Sequence, residues 1–90
     1  MGATLSPSER RILEAVNDAE VAEVAESGGQ LTDVVRRTLG QLPGDEFRQG
    51  VATLTERRLL QARVAVKSGG EVGRVVIERV TFLGRRAIGR

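Results

Sequence analysis

At Leu60 the apolar residues of this chain stop recurring every three or four positions and begin to alternate. That change of period sets a helical part followed by an extended part, an α+β chain ending in a β-hairpin. Leu60, Ala62, Val64 and Val66 alternate with Gln61, Arg63, Ala65 and Lys67, the pattern of a half-exposed strand. Ser68-Gly69-Gly70-Glu71 supplies the turn. Val72 to Val80, with β-branched Val75-Val76-Ile77, returns as the second strand. Strands are thus predicted at about 60–67 and 72–80. With 90 residues and 9.7 kDa there is room for one domain, so 1–90 reads as a single unit.

Upstream of Leu60 the spacing predicts three helices, at about 7–26, 33–39 and 45–57. Ser6-Pro7-Ser8-Glu9 is a helix start: Ser6 caps, Pro7 suits the first turn because it lacks a donor, and Glu9 reaches back as in a capping box. Ile12, Leu13, Val16 and Ala19 share one face, whereas Val21, Val24 and Ala25 lie more than 100° round, with Glu20 and Glu23 where the first face would continue. Either the helix breaks near Asn17-Asp18 or one long helix serves two surfaces, the second strip being offered to another copy of the chain. Ser27-Gly28-Gly29 ends it. Gln30-Leu31 reads as a short extended piece before Thr32, the N-cap of a second helix with Leu31, Val34, Val35, Thr38 and Leu39 as its stripe and Gly40 at C′. Gln41-Leu42-Pro43-Gly44 is a tight connection to a third helix, which begins near Asp45 and Glu46 at the positive end of its dipole. Its stripe is Phe47, Val51 and Leu54, and Gly50 inside it implies close helix–helix approach. Thr81 caps a short last turn containing Leu83, Ala87 and Ile88.

Composition then narrows the chemistry. The chain has no His, Cys, Trp or Tyr, which removes thiol nucleophiles, cysteine zinc sites and the usual base near neutral pH. No enzyme is expected, and no metal or cofactor. Gly69-Gly70-x-x-Gly73 lies in the hairpin turn rather than in a phosphate loop. Glu20, Glu23 and Glu26, without a second ligand set, read as a solvated face. With two Phe, and Phe47 on an apolar stripe, stacking of single-stranded bases has no support. The start of the chain has no apolar signal region, and no stretch approaches the roughly 20 residues of a bilayer span. Met1-Gly2-x-x-x-Ser6 fits the loose myristoylation pattern, but Ser6 has its capping role. A soluble, cytoplasmic protein with no membrane partner is expected.

Three helices, a tight turn between the second and third, and a hairpin is the order of a winged helix-turn-helix. The chain resembles the winged-helix transcription regulators, the multiple-antibiotic-resistance (MarR-type) and related families in particular. Leu39-Gly40-Gln41-Leu42-Pro43 is similar to the turn into a recognition helix. Leu54-Thr55-Glu56-Arg57-Arg58-Leu59-Leu60 is similar to the family's L-x-x-x-G-L-[IV] segment, and Val80-Thr81-Phe82-Leu83-Gly84-Arg85 to the L-T-x-x-G-R segment that closes the wing. The resemblance implies a three-helix bundle with a C-terminal wing, double-stranded DNA as partner, and Arg74 as the wing arginine that reaches it. Two positions depart from the pattern: Arg58 stands where the family has a helix-ending Gly, and Val72 where it has an Asp, with Glu71 one step off.

Charge is uneven along the chain. Residues 1–26 carry a net −4, residues 27–66 a net +2 and residues 67–90 a net +4, within an overall +2. A polyanion would meet the C-terminal two-thirds with the first helix turned away. On the third helix Gln49 suits adenine, Arg48 guanine or phosphate, and Thr53 or Ala52 a thymine methyl, while Asp45 and Glu56 oppose phosphate. Phosphate affinity is then expected from Arg36 and Arg37 on the second helix and from Arg63, Lys67, Arg74 and Arg79 on the wing. The expected function is sequence-specific duplex binding in transcription regulation, as a homodimer through Val21, Val24 and Ala25. The alternatives are a winged-helix protein-interaction module, favoured by the acids of helices one and three, and a small metal-independent enzyme.

Overall fold

The computed structural model describes residues 4–23 and 29–89. In chain order the elements are α1 (Pro7–Ala22), α2 (Gly29–Thr38), α3 (Gly44–Glu56), β1 (Leu60–Val66), β2 (Val72–Val80) and α4 (Phe82–Ala87). The chain is α+β, with a two-stranded antiparallel hairpin after three helices and a short fourth helix behind it. One core joins them. Ile12, Leu13 and Val16 of α1 meet Leu31 and Val35 of α2, Val51 and Leu54 of α3, and Leu60 and Ile77 of the hairpin. Among the described residues, no helix is long and apolar enough to cross a membrane.

The first helix starts as its sequence dictates. Ser6 Oγ accepts from the Glu9 amide at 3.1 Å, and Glu9 Oε1 accepts from the Ser6 amide at 2.8 Å, with Pro7 in the first turn. Its end differs from the expected one. The helix runs unbroken through Asn17-Asp18 and stops at Ala22, not near residue 26, because Glu23 turns left-handed (φ 53°) and bonds back to the Ala19 and Glu20 carbonyls. Glu20 explains why the inward face changes character. Its Oε1 accepts from the Val80 amide at 2.7 Å and its Oε2 from Arg85 at 3.1 Å, so a carboxylate stands where an apolar side chain would otherwise go. Val21 is exposed, whereas Val24, Ala25 and the Ser27-Gly28 end signal lie outside the described residues.

The second helix begins earlier than its sequence suggests. Gln30 and Leu31 are helical rather than extended, and Thr32 is not an N-cap. The Thr32 hydroxyl is buried and accepts from the Ile77 amide at 2.8 Å. Together with Glu20 it satisfies two N–H groups on the free edge of β2, which would otherwise be buried without a partner. Gly40 is not left-handed either; α2 closes through Leu39 N–H to the Val35 carbonyl and a turn from Leu42 N–H to the Leu39 carbonyl.

In α3 the missing side chain of Gly50 lets α1 approach. A Cβ there would lie 2.5 Å from Ile12 Cδ1. Arg58, in the place of the expected glycine, adopts the left-handed conformation itself (φ 61°), so the exit from α3 keeps that geometry at a steric cost. The hairpin turns at Gly70 (φ 84°), with Lys67 N–H bonded to the Glu71 carbonyl. Strand pairing carries two irregularities. Gln61 faces Arg79 but Ala62 faces Ile77, and Val64 faces Val75 but Val66 faces Val72. Extra residues in β2 at these bulges put Val72, Val75, Ile77 and Val80 on the inner face at spacings of three, two and three. Thr81 caps α4 as expected, accepting from the Gly84 amide at 3.0 Å while donating to the Arg58 carbonyl at 2.7 Å. Of the residues in that last turn Ile88 is buried, whereas Leu83 is exposed.

Candidate nucleic-acid interface

Arg48 of α3 lines one hollow, and Gln49, Thr53 and Glu56 line another. One lies between α2, the start of α3 and β2, is about 290 Å³ in volume, and is lined by Arg36, Arg48 and Arg74 with Asp33, Phe47 and Gly73. The other, about 360 Å³, lies between the outer face of α3 and the hairpin; Gln49, Thr53 and Glu56 rim it over a floor of Val64, Val66 and Val72. Thus the phosphate and base candidates of α3 sit on adjoining faces of the same helix.

Three elements aim the arginines of the first hollow. Arg36 leaves the last turn of α2 and lies over the Phe47 ring, 5.7 Å from its centroid, which fixes the guanidinium against a buried aromatic. Arg48, one turn into α3, pairs with Asp45 three residues earlier. Both arginines meet above Gly44: a Cβ at that residue would lie 3.3 Å from Arg48 Nη1 and 3.6 Å from Arg36 Nη2. Arg74 comes from the bulged stretch of β2, where the extra residue re-aims a side chain that plain alternation would send elsewhere. Lys67 lies alongside, its stem packed over Gly73 at 3.4–3.5 Å from where a Cβ would be.

The remaining candidates are not gathered there. Arg63 and Arg79 stand on the outer face of the hairpin within a network. Arg63 Nε is 3.4 Å from Glu78 Oε2, Arg79 Nε donates to Gln61 Oε1 at 2.9 Å, and Gln61 Nε2 donates to Glu78 Oε1 at 3.1 Å. Arg37 is exposed on α2 and does not line the hollow. Among the described residues, Arg36, Arg37, Lys67 and Arg74 form no ion pair.

Acids of α1, by contrast, are partly spent on the fold. Glu9 Oε1 is 3.6 Å from Arg57 Nη1 at the exit of α3, and Glu20 holds Arg85. Glu14 pairs with Arg10 on its own helix. Sequence reasoning overlooks Asp33 in the lining of the arginine hollow, Gly44 beneath Arg36 and Arg48, and the pairing of Asp45 with Arg48. The i, i+3 spacing of Asp45 and Arg48 is a usable signal, since such pairs face each other on a helix. Nothing local marks Asp33 or Gly44.

Compared with family models, with curated proteins and with solved structures, the chain finds no match.

Proposed function

We propose that this chain is a winged helix-turn-helix domain that binds double-stranded DNA in transcription regulation, with α3 as its recognition helix and the β1–β2 hairpin as its wing. The order of the elements fits that fold, and the left-handed exit of α3 at Arg58 fits a position where the regulators it resembles carry glycine. The observation that carries the reading is the convergence of Arg36, Arg48 and Arg74 at the start of α3, with Lys67 beside them. A recognition helix needs cations at its flank to hold backbone phosphates while its outer face meets base edges. Gln49 and Thr53 supply that outer face, Gln49 with the donor–acceptor pair that suits adenine. Arg37 adds to the same field from α2, whereas Arg63 and Arg79 are held by Glu78 and Gln61 and contribute less. Two copies joined through the exposed Val21 at the end of α1 would present two such helices to a symmetric site.

Duplex fragments of mixed sequence, mixed with the protein at low salt, are expected to shift, and the shift is expected to weaken steeply as salt rises. Absence of any shift at low salt would sink the reading.

A second reading has its own support. Asp45, Glu46 and Glu56 are exposed on α3, and Phe82 and Leu83 are 70% and 52% exposed on α4. An acidic helix and an apolar end suit a protein partner. On that reading a complex isolated from lysate survives nuclease treatment, and Phe82→Ser disrupts it.

A further inference from the structure

The three guanidinium groups of the arginine hollow belong to α2, α3 and β2, and two of them approach the same point above Gly44. Like charges so gathered repel unless an anion lies between them. Asp33 lines the hollow itself, and Arg48 Nη2 donates a hydrogen bond to a second carboxylate, that of Asp45, outside the lining. Among the described residues the Asp45 side chain has no second ion-pair or hydrogen-bond partner. Its side chain is 91% exposed, and Arg48 is the one side chain it pairs with among the described residues, whereas Arg48 itself is held at 34% exposure against the hollow. A carboxylate presents two oxygens to a guanidinium much as a phosphate does.

We propose that Asp45 is a built-in competitor for phosphate: it occupies Arg48 in the free protein and is displaced when a phosphate group enters the hollow between Arg36, Arg48 and Arg74. The inference rests on the DNA reading for its source of phosphate, a diester of the duplex backbone. Its physical effect is to weaken binding to any phosphate chain alike, so that contacts from Gln49 and Thr53 to bases weigh more in the total. The exchange is between surface groups, so it is modest in size.

The test is a double-mutant cycle read by fluorescence anisotropy on a labelled duplex of mixed sequence, roughly two helical turns long. Asp45→Asn is expected to tighten binding by roughly two- to fivefold, the size of one exposed ion pair. The slope of log affinity on log salt is expected to stay near that of the parent, because Arg48 meets the phosphate in both proteins once Asp45 is displaced. In an Arg48→Ala background the same substitution is expected to change nothing, and Glu46→Gln, at an exposed acid one residue on, is expected to change little. Equal tightening with and without Arg48 would mean plain long-range repulsion and would overturn the proposal, as would no tightening at all. If the duplex binds and the cycle is additive, the competitor role falls and the DNA reading stands. Inorganic phosphate, followed through the arginine side-chain N–H resonances, is the second arm. Should the duplex fail to bind while phosphate binds more tightly to Asp45→Asn, the competitor role stands and the partner is a free phosphorylated compound. Should neither bind, both fall.

Discussion

Gly50 is the residue on which the placement of α3 depends most directly, and Gly50→Ala tests that dependence quantitatively. An added Cβ would lie 2.5 Å from Ile12 Cδ1, well inside the optimum of about 3.5–4.0 Å for two carbons. Ile12 is fully buried, so its terminal methyl has nowhere open to move. Overpacking of this kind costs about 1–3 kcal/mol. Against it, alanine in place of glycine inside a helix gains about 0.8–1.0 kcal/mol. A net loss of about 1 kcal/mol is expected, seen as a fall of roughly 4–8 °C in Tm for a domain of this size. Ile12→Val removes the very atom in the way, at a cost of about 0.5–1.5 kcal/mol when made alone. Made together, the two changes exchange one methyl for another across the α1–α3 contact, and the double variant is expected to be close to the parent protein. The coupling between the sites is then about 1–3 kcal/mol and favourable, the size seen for residues in direct contact. Thermal and urea unfolding of all four proteins measures it. Additive effects, with the double variant less stable than either single one, would refute the packing argument.

Three further substitutions probe the parts that hold the hairpin. Gly84→Ala is expected to be the most damaging, because its Cβ would lie 2.0 Å from the Leu59 carbonyl oxygen, a backbone atom that cannot turn aside; a loss above about 3 kcal/mol, or failure to fold cooperatively by circular dichroism, is the expected result. Arg58→Gly should act in the opposite direction, raising stability by about 0.5–1 kcal/mol in urea unfolding as the left-handed strain is relieved against glycine's greater freedom in the unfolded chain. Glu20→Ala strands the Val80 amide on the edge of β2 and releases Arg85, so a loss of about 1–3 kcal/mol is expected, with faster amide exchange at Val80 than elsewhere in β2.

What the sequence makes legible is local. The capping box at Ser6 and Glu9, the turn at Gly69-Gly70 and the change of period at Leu60 depend on residues a few positions apart, and these elements form where the pattern puts them. Thr32 and Glu20 mislead because their partners, Ile77 and Val80, are 45 and 60 residues away in the chain. A threonine ahead of an apolar stripe looks like a cap, and a glutamate on an inward face looks like the end of one, until a strand edge with unpaired amides arrives beside them. Alternation in β2 is likewise only partly readable. Two bulges let Val72, Val75, Ile77 and Val80 share a face that strict alternation would divide. For the candidate interface, charge by segment points to the C-terminal two-thirds, but it counts Arg63 and Arg79 equally with Arg36 and Arg74. In three dimensions Glu78 pairs with Arg63 and Gln61 holds Arg79, whereas Arg36 and Arg74 line the hollow.

Duplex phosphates are expected to meet the α2–α3–β2 side of the molecule, and the salt dependence of binding tests this most directly. Affinity for one duplex should be measured over a range of salt for the parent protein, for Arg36→Ala/Arg74→Ala and for Arg63→Ala/Arg79→Ala. Each phosphate that the protein no longer neutralises is expected to flatten the log–log slope by about 0.9, so the first pair is expected to flatten it by about 1.8. The second pair is expected to leave the slope near that of the parent. Equal slopes for all three proteins, or a flatter slope only when Arg63 and Arg79 are removed, would contradict the claim.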